Sequence, residues 1–266
     1  MSRILLVGDT FGRPGREAIY NLLPGLISEK ALDFVIVNAE NVAGGKGLTP
    51  EICHELFAVG VDVITTGNHL MDKKEILPML ETDPRILRPI NFSSSIPGSG
   101  SVVRKARNGR DVAVVNAMGT VHFRETNSPF EVTKNRIVEL KAITPVVFLD
   151  FHAEATSEKR AMGWYLDGIA SAVFGTHTHV QTADEEILPQ GTGFLTDVGM
   201  TGPYHSVIGL RVDLALDRFL RNDRSKFEVG KGNAKLCGAI ADIDDETGKT
   251  RAIDRIQRPW DPSSSS

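Results

Sequence analysis

Short apolar runs alternate with longer segments of helical periodicity at the start of the chain. Residues 4–7 form an apolar run, residues 16–30 carry apolar side chains at helical spacing, and residues 34–37 form a second run. A helix between two short apolar runs is typical of a β-α-β unit. The pattern therefore predicts an α/β fold.

The same alternation continues through the next part of the chain. A helix is predicted over 50–59, because Thr49 suits the N-cap and Pro50 suits the first helical position. A strand over 61–65 and a helix over 73–80 are predicted to follow.

Antiparallel hairpins are predicted in the middle and near the end of the chain. Asn108-Gly109, a strong hairpin dipeptide, separates two strand-like segments. The second predicted hairpin pairs residues 236–243 with residues 251–256. The other predicted elements are strands at 146–150 and 172–174 and helices at 157–166 and 214–222.

Charge and cysteine content narrow the class of protein. The 266 residues include 30 Lys and Arg against 34 Asp and Glu, a net charge of −4, so no basic excess attracts duplex nucleic acid or an anionic membrane. Two cysteines are too few for a disulfide framework, and no signal peptide or membrane-spanning run is visible. We expect a soluble cytoplasmic protein without membrane or duplex nucleic-acid partners, and the sequence leaves a homo-oligomer open.

Polar side chains follow five predicted strands at the points where those strands end. They are Asp9, Glu40 and Asn41, Asn68 and His69, His152, and His177 with His179. Because ligands of open α/β sheets bind at the carboxyl ends of the strands, we expect these side chains to converge on one rim.

The chemistry of this set indicates a transition-metal site. Carboxylate, carboxamide and imidazole groups without thiolates suit Fe, Mn, Zn or Co. Seven ligands exceed the need of one tetrahedral ion, whereas two ions about 3.5–4 Å apart, bridged by Glu40 and a water or hydroxide, would use them all. The reaction class predicted is metal-assisted hydrolysis of a phosphoester.

Several of these residues also have purely structural interpretations. Asp9 could cap the following helix, and Asn68 could be a left-handed turn residue. His177 and His179 share one face of an extended segment, about 6.5–7 Å apart, which favours a shared ligand role. Three isolated histidines are predicted to have no such role: His54, His122 and His205.

Two glycine-rich stretches resemble nucleotide-binding loops only in outline. The glycines of 8–15 are spaced G-x-x-x-G-x-x-G, and Pro14 lies where a pyrophosphate needs a backbone N–H. Residues 44–47 lack the first glycine and the Lys-Ser/Thr ending of a P-loop. Neither a dinucleotide cofactor nor a P-loop is predicted.

Six sequence blocks resemble the calcineurin-like metallophosphoesterases and, more closely, their bacterial YmdB-like branch. The blocks are GDTFGRPGR (8–16), NAENVAGGKGLT (38–49), TGNHLMD (66–72), DFHAEATSEKRA (150–161), GTHTHVQTAD (175–184) and TDVGMTGP (196–203). The resemblance implies a four-layer α-β-β-α sandwich of mixed sheets. Because the site-bearing blocks cannot be divided between two units, one domain over 1–260 is expected, followed by a polar tail at 261–266.

The resemblance also implies a dinuclear centre, with iron expected first and manganese or zinc as alternatives. The implied ligands are Asp9, Asn41 and His179 for one ion, Asn68, His152 and His177 for the other, and Glu40 as the bridge. His69 would stand outside the ligand shell and protonate the leaving oxygen as general acid. Asp72 is a candidate to orient His69.

Two positions depart from the patterns of these families. Phe11 stands where the broad superfamily has a histidine ligand, and Asn41 is the expected substitute. Met71 stands where the branch usually has an aromatic residue, which weakens any base-stacking role there.

The leading functional hypothesis is a phosphodiesterase that hydrolyses a small cyclic nucleotide, either a 2′,3′- or a 3′,5′-cyclic mononucleotide. One alternative is a phosphomonoesterase, either a nucleotidase or a protein phosphatase. The other is a non-catalytic protein that uses a metal cleft to sense a nucleotide or to hold an RNA-decay partner.

Overall fold

Helices and strands alternate along most of the chain in the computed structural model, which describes residues 1–123, 127–223 and 226–261. The strands are β1 (Ser2–Val7), β2 (Asp9–Thr10), β3 (Phe34–Asn38), β4 (Val63–Thr65), β5 (Ser101–Lys105), β6 (Asp111–Met118), β7 (Val147–His152), β8 (Ala172–Thr176), β9 (Glu186–Ile187), β10 (Gly193–Leu195), β11 (Met200–Pro203), β12 (Ala234–Ile243) and β13 (Thr250–Trp260). The helices are α1 (Gly12–Glu29), α2 (Pro50–Ala58), α3 (Leu77–Thr82), α4 (Pro129–Lys141), α5 (Thr156–Tyr165) and α6 (Val212–Arg221). The predicted tail lies, from residue 262 on, outside the described residues.

The strands form two mixed sheets. The first has the order β2-β11-β12-β1-β3-β4, with β13 paired to β12, and its parallel strands β1, β3 and β4 adjoin the antiparallel β12. The second has the order β5-β6-β7-β8-β10-β9, in which β6, β7, β8 and β10 are parallel and both edge strands are antiparallel. The predicted mixed α/β fold is confirmed, and so are both predicted hairpins, β5–β6 and β12–β13.

Apolar side chains gather on both faces of each sheet. Successive side chains of a strand point to opposite faces, so Leu5 of β1 packs in a cluster with Leu23 of α1, whereas Ile4 packs in a cluster with Phe148 of the second sheet. A third cluster joins the far face of the second sheet to α4 and α5 through residues such as Ile137. Burial of these clusters fixes the strand ends at which the candidate site lies.

Two predicted helices differ in extent from the observed ones, and proline explains both differences. Helix α1 begins at Gly12 and not at residue 16, because Pro14 lies in the first turn, where a backbone N–H is not needed. Over the predicted helix 73–80, one short 3₁₀ turn at Lys74–Ile76 precedes α3, and Pro78 takes a position at the start of α3. The predicted N-cap of α2 is confirmed, since Oγ1 of Thr49 accepts the Ile52 N–H at 3.4 Å.

Helix α4 and the short strands β9, β10 and β11 were not predicted from the sequence. The buried face of α4 includes the polar Thr133 beside Ile137, and this weakens its amphipathic pattern. The short strands have two to four residues each, too few for an alternating pattern to appear.

No helix within the described residues is long and apolar enough to cross a lipid bilayer. Cys53 and Cys237 are both buried and form no disulfide, in agreement with the expectation from the cysteine count.

Candidate metal centre

Side chains from both sheets meet at the carboxyl ends of β1, β3, β4, β7 and β8. Within this set Asp9, Glu40, Asn41, His152 and His179 are buried, and Asn68, His69 and His177 are partly exposed. The convergence expected from the sequence is therefore present in the fold.

Glu40, His152 and His177 form one compact group of ligand atoms. Nε2 of His152 lies 3.1 Å from Oε2 of Glu40 and 3.0 Å from Nδ1 of His177. Oδ1 of Asn68 lies 3.2 Å from the same Nε2 atom. These four residues are placed to hold one cation.

Asp9, Glu40 and His179 form a second group. Nε2 of His179 lies 3.9 Å from Oδ1 of Asp9 and 3.2 Å from Oδ1 of Asn41. Glu40 belongs to both groups, so its carboxylate is shared by the two candidate ligand sets.

Each of the three imidazoles directs one nitrogen at the centre and holds the other nitrogen against an acceptor outside it. Nδ1 of His152 contacts Oγ1 of Thr176 at 2.9 Å, and Nδ1 of His179 contacts the carbonyl oxygen of Ile208 at 2.9 Å. Nε2 of His177 contacts Oε2 of Glu154 at 2.9 Å. The outer acceptor accepts a hydrogen bond from the ring N–H, and in the neutral ring that a metal ion requires the inner nitrogen then has a free lone pair.

When His179 is neutral and its Nδ1–H donates to the carbonyl oxygen of Ile208, the inner atoms of the second group are all hydrogen-bond acceptors. Nε2 of His179, Oδ1 of Asn41 and Oδ1 of Asp9 face one another, and Oδ1 of Asp9 is buried without a hydrogen bond from any described residue. Facing acceptors repel, and a buried polar atom without a partner costs about 1–3 kcal/mol. A cation between these atoms removes both penalties, and the N/O donor set suits Fe, Mn or Zn.

A buried carboxylate supports His152 from behind. Thr176 donates its hydroxyl to Oδ1 of Asp150 at 2.7 Å and so presents its lone pairs to Nδ1 of His152. Oδ2 of Asp150 accepts from Thr65 at 2.5 Å and from Asn38 at 3.0 Å. Burial raises the pKa of Asp150, and the hydrogen bonds from Thr65, Thr176 and Asn38 oppose that rise.

Backbone geometry brings the ligands close together at two points. A Cβ atom at Gly67 would lie 2.3 Å from Nε2 of His152 and 2.5 Å from Oε2 of Glu40, so this position requires glycine. The side-chain Nδ2 of Asn41 donates a hydrogen bond to the carbonyl oxygen of Gly45 at 3.0 Å. This bond turns Oδ1 of Asn41 toward His179.

The loop that carries His177 and His179 has an unusual backbone. The φ angles of these residues are +95° and +65°, in a region that residues other than glycine rarely adopt. The backbone N–H of His177 donates to Oδ2 of Asp9 at 2.9 Å. Thr178, between the two histidines, is hydrogen-bonded to the buried Asp197. Such conformations persist where surrounding contacts fix them, often at functional sites.

The electrostatics of the cluster favour positive charge at its centre. Burial by itself raises the pKa of Glu40, but the charge and hydrogen bond of His152 outweigh it and hold that pKa well below its usual range. Burial also lowers the pKa of His152, and Glu40 outweighs that effect and raises it. The pKa of His177 is lowered by burial and by His152, so His177 is neutral, as a metal ligand must be.

His69 lies beside the two groups and not within them. Its backbone N–H donates to Oε2 of Glu40 at 3.2 Å, which places the residue at the edge of the centre. Its Nδ1 contacts Oδ2 of Asp72 at 2.9 Å, the geometry expected of an orienting carboxylate.

The structural interpretations of Asp9 and Asn68 are wrong. Helix α1 has Phe11 as its N-cap and no side-chain cap, so Asp9 does not cap it. Asn68 is absent from the described residues with positive φ, so it is not a left-handed turn residue. The three histidines predicted to be uninvolved are exposed and lie outside both described ligand groups: His54, His122 and His205.

A cavity of about 330 Å³ opens in front of the centre. Glu40, Asn41 and His69 line one end of it. Phe11 also lines the cavity and packs edge-on against His179, with ring centroids 5.5 Å apart, so its ring forms part of the cavity wall beside the centre. Met71 is not among the described residues that line the cavity.

Sequence reasoning missed the buried residues that support the ligands, above all Asp150, Lys159 and Asp197. Nζ of Lys159 lies 2.7 Å from Oδ2 of Asp197, and both side chains are almost fully buried. The available signal was the position of Asp150 two residues before His152, on the same face of β7. No comparable pattern in the sequence pairs Lys159 with Asp197, because 38 residues separate them.

Comparisons with known proteins support the family resemblance that the six sequence blocks indicated. A family model described as YmdB-like protein matches residues 5–256. A 2′,3′-cyclic-nucleotide 2′-phosphodiesterase from Bacillus subtilis (strain 168) is 48% identical over 254 residues, which cover 96% of each chain.

Two solved structures have nearly the same fold. The crystal structure of a hypothetical protein from Thermus thermophilus superposes with a TM-score of 0.90 at 39% identity, covering 97% of this chain and 99% of that one. The crystal structure of a protein described as a novel phosphatase, from Mycoplasma pneumoniae, superposes with a TM-score of 0.90 at 37% identity, covering 98% and 95%. The resemblance is confirmed, and the chain belongs to the YmdB-like family.

Proposed function

We propose that the protein is a metal-dependent phosphodiesterase that hydrolyses small cyclic nucleotides, either 2′,3′- or 3′,5′-cyclic mononucleotides. The observation that carries this proposal is the set of facing acceptors of Asp9, Asn41 and His179, which lies beside an imidazole at the edge of an open cavity. The activity named for the Bacillus subtilis relative supports a 2′,3′-cyclic nucleotide in particular.

Two transition-metal ions complete the proposed site, with iron expected first and manganese or zinc as alternatives. The proposed ligands are Asp9, Asn41 and His179 for one ion, Asn68, His152 and His177 for the other, and Glu40 between them. Ions bound there would neutralise charge on the phosphoryl oxygens and lower the pKa of water toward neutrality.

His69 is the proposed general acid. Asp72 accepts a hydrogen bond from the Nδ1–H of His69, and in the imidazolium form Nε2 also carries a proton, which it would donate to the leaving oxygen. The hydrogen bond from the His69 backbone N–H to Glu40 holds this residue beside the proposed ions.

One domain over residues 1–260, with the layer order α-β-β-α, belongs to the same proposal. The three apolar clusters support this order, since one packs between the sheets and the others pack between a sheet and helices. The site supports a single domain, because Asp9 follows a strand of the first sheet and His152 ends a strand of the second.

The test compares hydrolysis of 2′,3′-cyclic AMP, 3′,5′-cyclic AMP and p-nitrophenyl phosphate by the purified protein with and without added Mn²⁺. The proposal predicts metal-dependent hydrolysis of a cyclic diester and little release of phosphate from the monoester. His69→Gln should remove the activity and retain the metal, whereas His54→Gln, at an exposed histidine, should change neither. Preferred hydrolysis of the monoester would favour a phosphomonoesterase, and nucleotide binding without turnover would favour a sensor.

A further inference from the structure

The cavity in front of the candidate metal centre has two chemically different ends. The ligand residues and His69 form the polar end. The other end is formed by helix α6 and the residues around it, among them Phe227, Phe219, Arg218 and Ile208. We propose that Phe227, Phe219 and Arg218 bind the nucleobase of the substrate, an inference that rests on the proposed phosphodiesterase function.

Phe227 packs against residues that lie between it and the candidate metal centre. Its ring centroid lies 6.2 Å from that of Phe11, and Phe11 in turn packs against His179. A Cβ atom at Gly45, whose φ is +96°, would lie 2.5 Å from the Phe227 ring, so glycine at this position makes room for the ring. The glycine-rich stretch 44–47 therefore connects the ligand Asn41 to the aromatic wall of the cavity.

Two cations flank Phe227. Nζ of Lys46 lies 5.2 Å from the centroid of the Phe227 ring, and the guanidinium carbon of Arg218 lies 5.7 Å from it. Nη2 of Arg218 donates a hydrogen bond to the carbonyl oxygen of Lys226 at 3.3 Å, and among the described residues the buried Nε of Arg218 has no partner. Aromatic rings and guanidinium planes are the groups on which proteins stack unpaired nucleobases.

Helix α6 exposes a large aromatic side chain at the same cavity. Phe219 is 83% exposed although it lines the cavity, and Ile208 beside it is 54% exposed. Exposed apolar surface next to a pocket is typical of a binding site. A flat ring placed against Phe219 would bury this surface, while the phosphodiester of the same molecule reached the polar end.

The size of the cavity fits one nucleotide. Its volume of about 330 Å³ is at the lower end of the range of about 300–1,000 Å³ typical of small-molecule sites. The position of the aromatic residues also accounts for Met71, which lies outside the described cavity wall. Stacking on Phe227 and Phe219 would need no aromatic residue at 71.

The experiment measures kcat and KM for 2′,3′-cyclic AMP and for ribose 2′,3′-cyclic phosphate, which lacks the base. Base stacking is worth about 5- to 160-fold in binding, so the wild type should have a kcat/KM at least about fivefold higher for the nucleotide. Phe219→Ala and Phe227→Leu should reduce this ratio several-fold by raising KM for the nucleotide. Neither should change kcat/KM for the substrate without a base.

Leu220→Ala is the matched control, because Leu220 lies on the same helix, is 77% exposed and is not among the described residues of the cavity wall. It should leave both substrates unaffected. Equal losses on both substrates in the Phe219 and Phe227 variants, or a wild type that does not distinguish the substrates, would overturn the proposal.

Binding measurements keep the subsite testable if the enzyme hydrolyses neither compound. Adenosine 3′-monophosphate should then bind more tightly than ribose 3-phosphate in the wild type, and Phe219→Ala should abolish the difference. Failure of hydrolysis with this difference intact would count against the proposed activity alone. A Phe219→Ala protein that changes its oligomeric state but not its nucleotide selectivity would show that a second copy covers this surface, which contradicts the subsite.

Discussion

One carboxylate oxygen of Asp197 accepts both the backbone N–H and the hydroxyl of Thr178, at 3.1 and 2.7 Å. The same oxygen lies 2.7 Å from Nζ of the buried Lys159. Thr178 stands between His177 and His179, whose φ angles are both positive. The buried ion pair therefore holds the loop from which two candidate ligands project.

Replacement of Lys159 by Met together with Asp197 by Leu tests this role. An apolar pair of similar volume often replaces a buried ion pair without loss of stability, so the double variant should fold. Its metal affinity should fall about 10- to 100-fold, as expected when a residue that orients ligands is lost. Competition with a chelator measures the affinity, and circular dichroism follows the fold.

Two controls accompany that variant. Thr178→Val removes only the hydroxyl bond and should have a smaller effect on metal affinity. Arg3→Met breaks the pair of Arg3 with Asp242 between β1 and β12, at the opposite end of β1 from Asp9, and should leave metal affinity unchanged. Wild-type metal affinity in the folded double variant would show that the ion pair does not position the loop.

Gly67→Ala should damage the centre directly. The added methyl group would lie 2.3 Å from two ring atoms of the buried His152, so it must displace the His152 ring or the backbone at residue 67. Overpacking of this kind costs about 1–3 kcal/mol, and metal content should fall with the melting temperature.

Gly25→Ala is the matched control for that substitution. Gly25 is exposed within α1 and has open space where its Cβ would lie. The change should raise the free energy of unfolding by about 0.5–1 kcal/mol. Calorimetry measures the stability of both variants, and metal analysis measures their metal content. Full metal content in Gly67→Ala would show that the cluster tolerates the displacement.

His69 and Asp72 should affect catalysis and not metal content. His69→Gln should lower kcat about 10²–10⁴-fold, the usual contribution of a general acid. Asp72→Asn keeps a group near Nδ1 and should lower kcat less. Steady-state kinetics and metal analysis check both, and a His69→Gln enzyme with wild-type kcat would exclude this residue as the acid.

Removal of metal should destabilise the protein. Without a cation the acceptor atoms of Asp9, Asn41 and His179 face one another in a buried site. A ligand present at about 100 times its Kd stabilises the native state by about 2.7 kcal/mol, so dialysis against a chelator should lower the melting temperature measurably. Mn²⁺ added back should restore it, and an unchanged melting temperature in the metal-free protein would contradict the site.

The positions of the candidate ligands could be predicted because each lies at or just after the end of a strand that the sequence reveals clearly. The apolar runs of β1 and β3 have apolar side chains on both faces of the strand. The first polar residue after each run marks the end of the strand. Since parallel strands end at one edge, Asp9 and Glu40 had to lie near each other.

The supporting residues could not be predicted in the same way. The contact of Thr178 with Asp197 depends on how a loop folds back on the sheet, and no periodic pattern in the sequence records it. Helix α4 was also missed, because Thr133 interrupts its apolar face. The start of α3 was displaced because Pro78 favours the first turn of a helix over its middle.

Two metal ions should lie among the candidate ligands at these strand ends. Anomalous scattering from crystals of the purified protein, collected at the iron and manganese absorption edges, can locate them. We expect two anomalous peaks, one among Glu40, His152 and His177 and the other among Asp9, Glu40 and His179. A single peak, or none after soaking with either metal, would show that these residues do not form a two-metal centre.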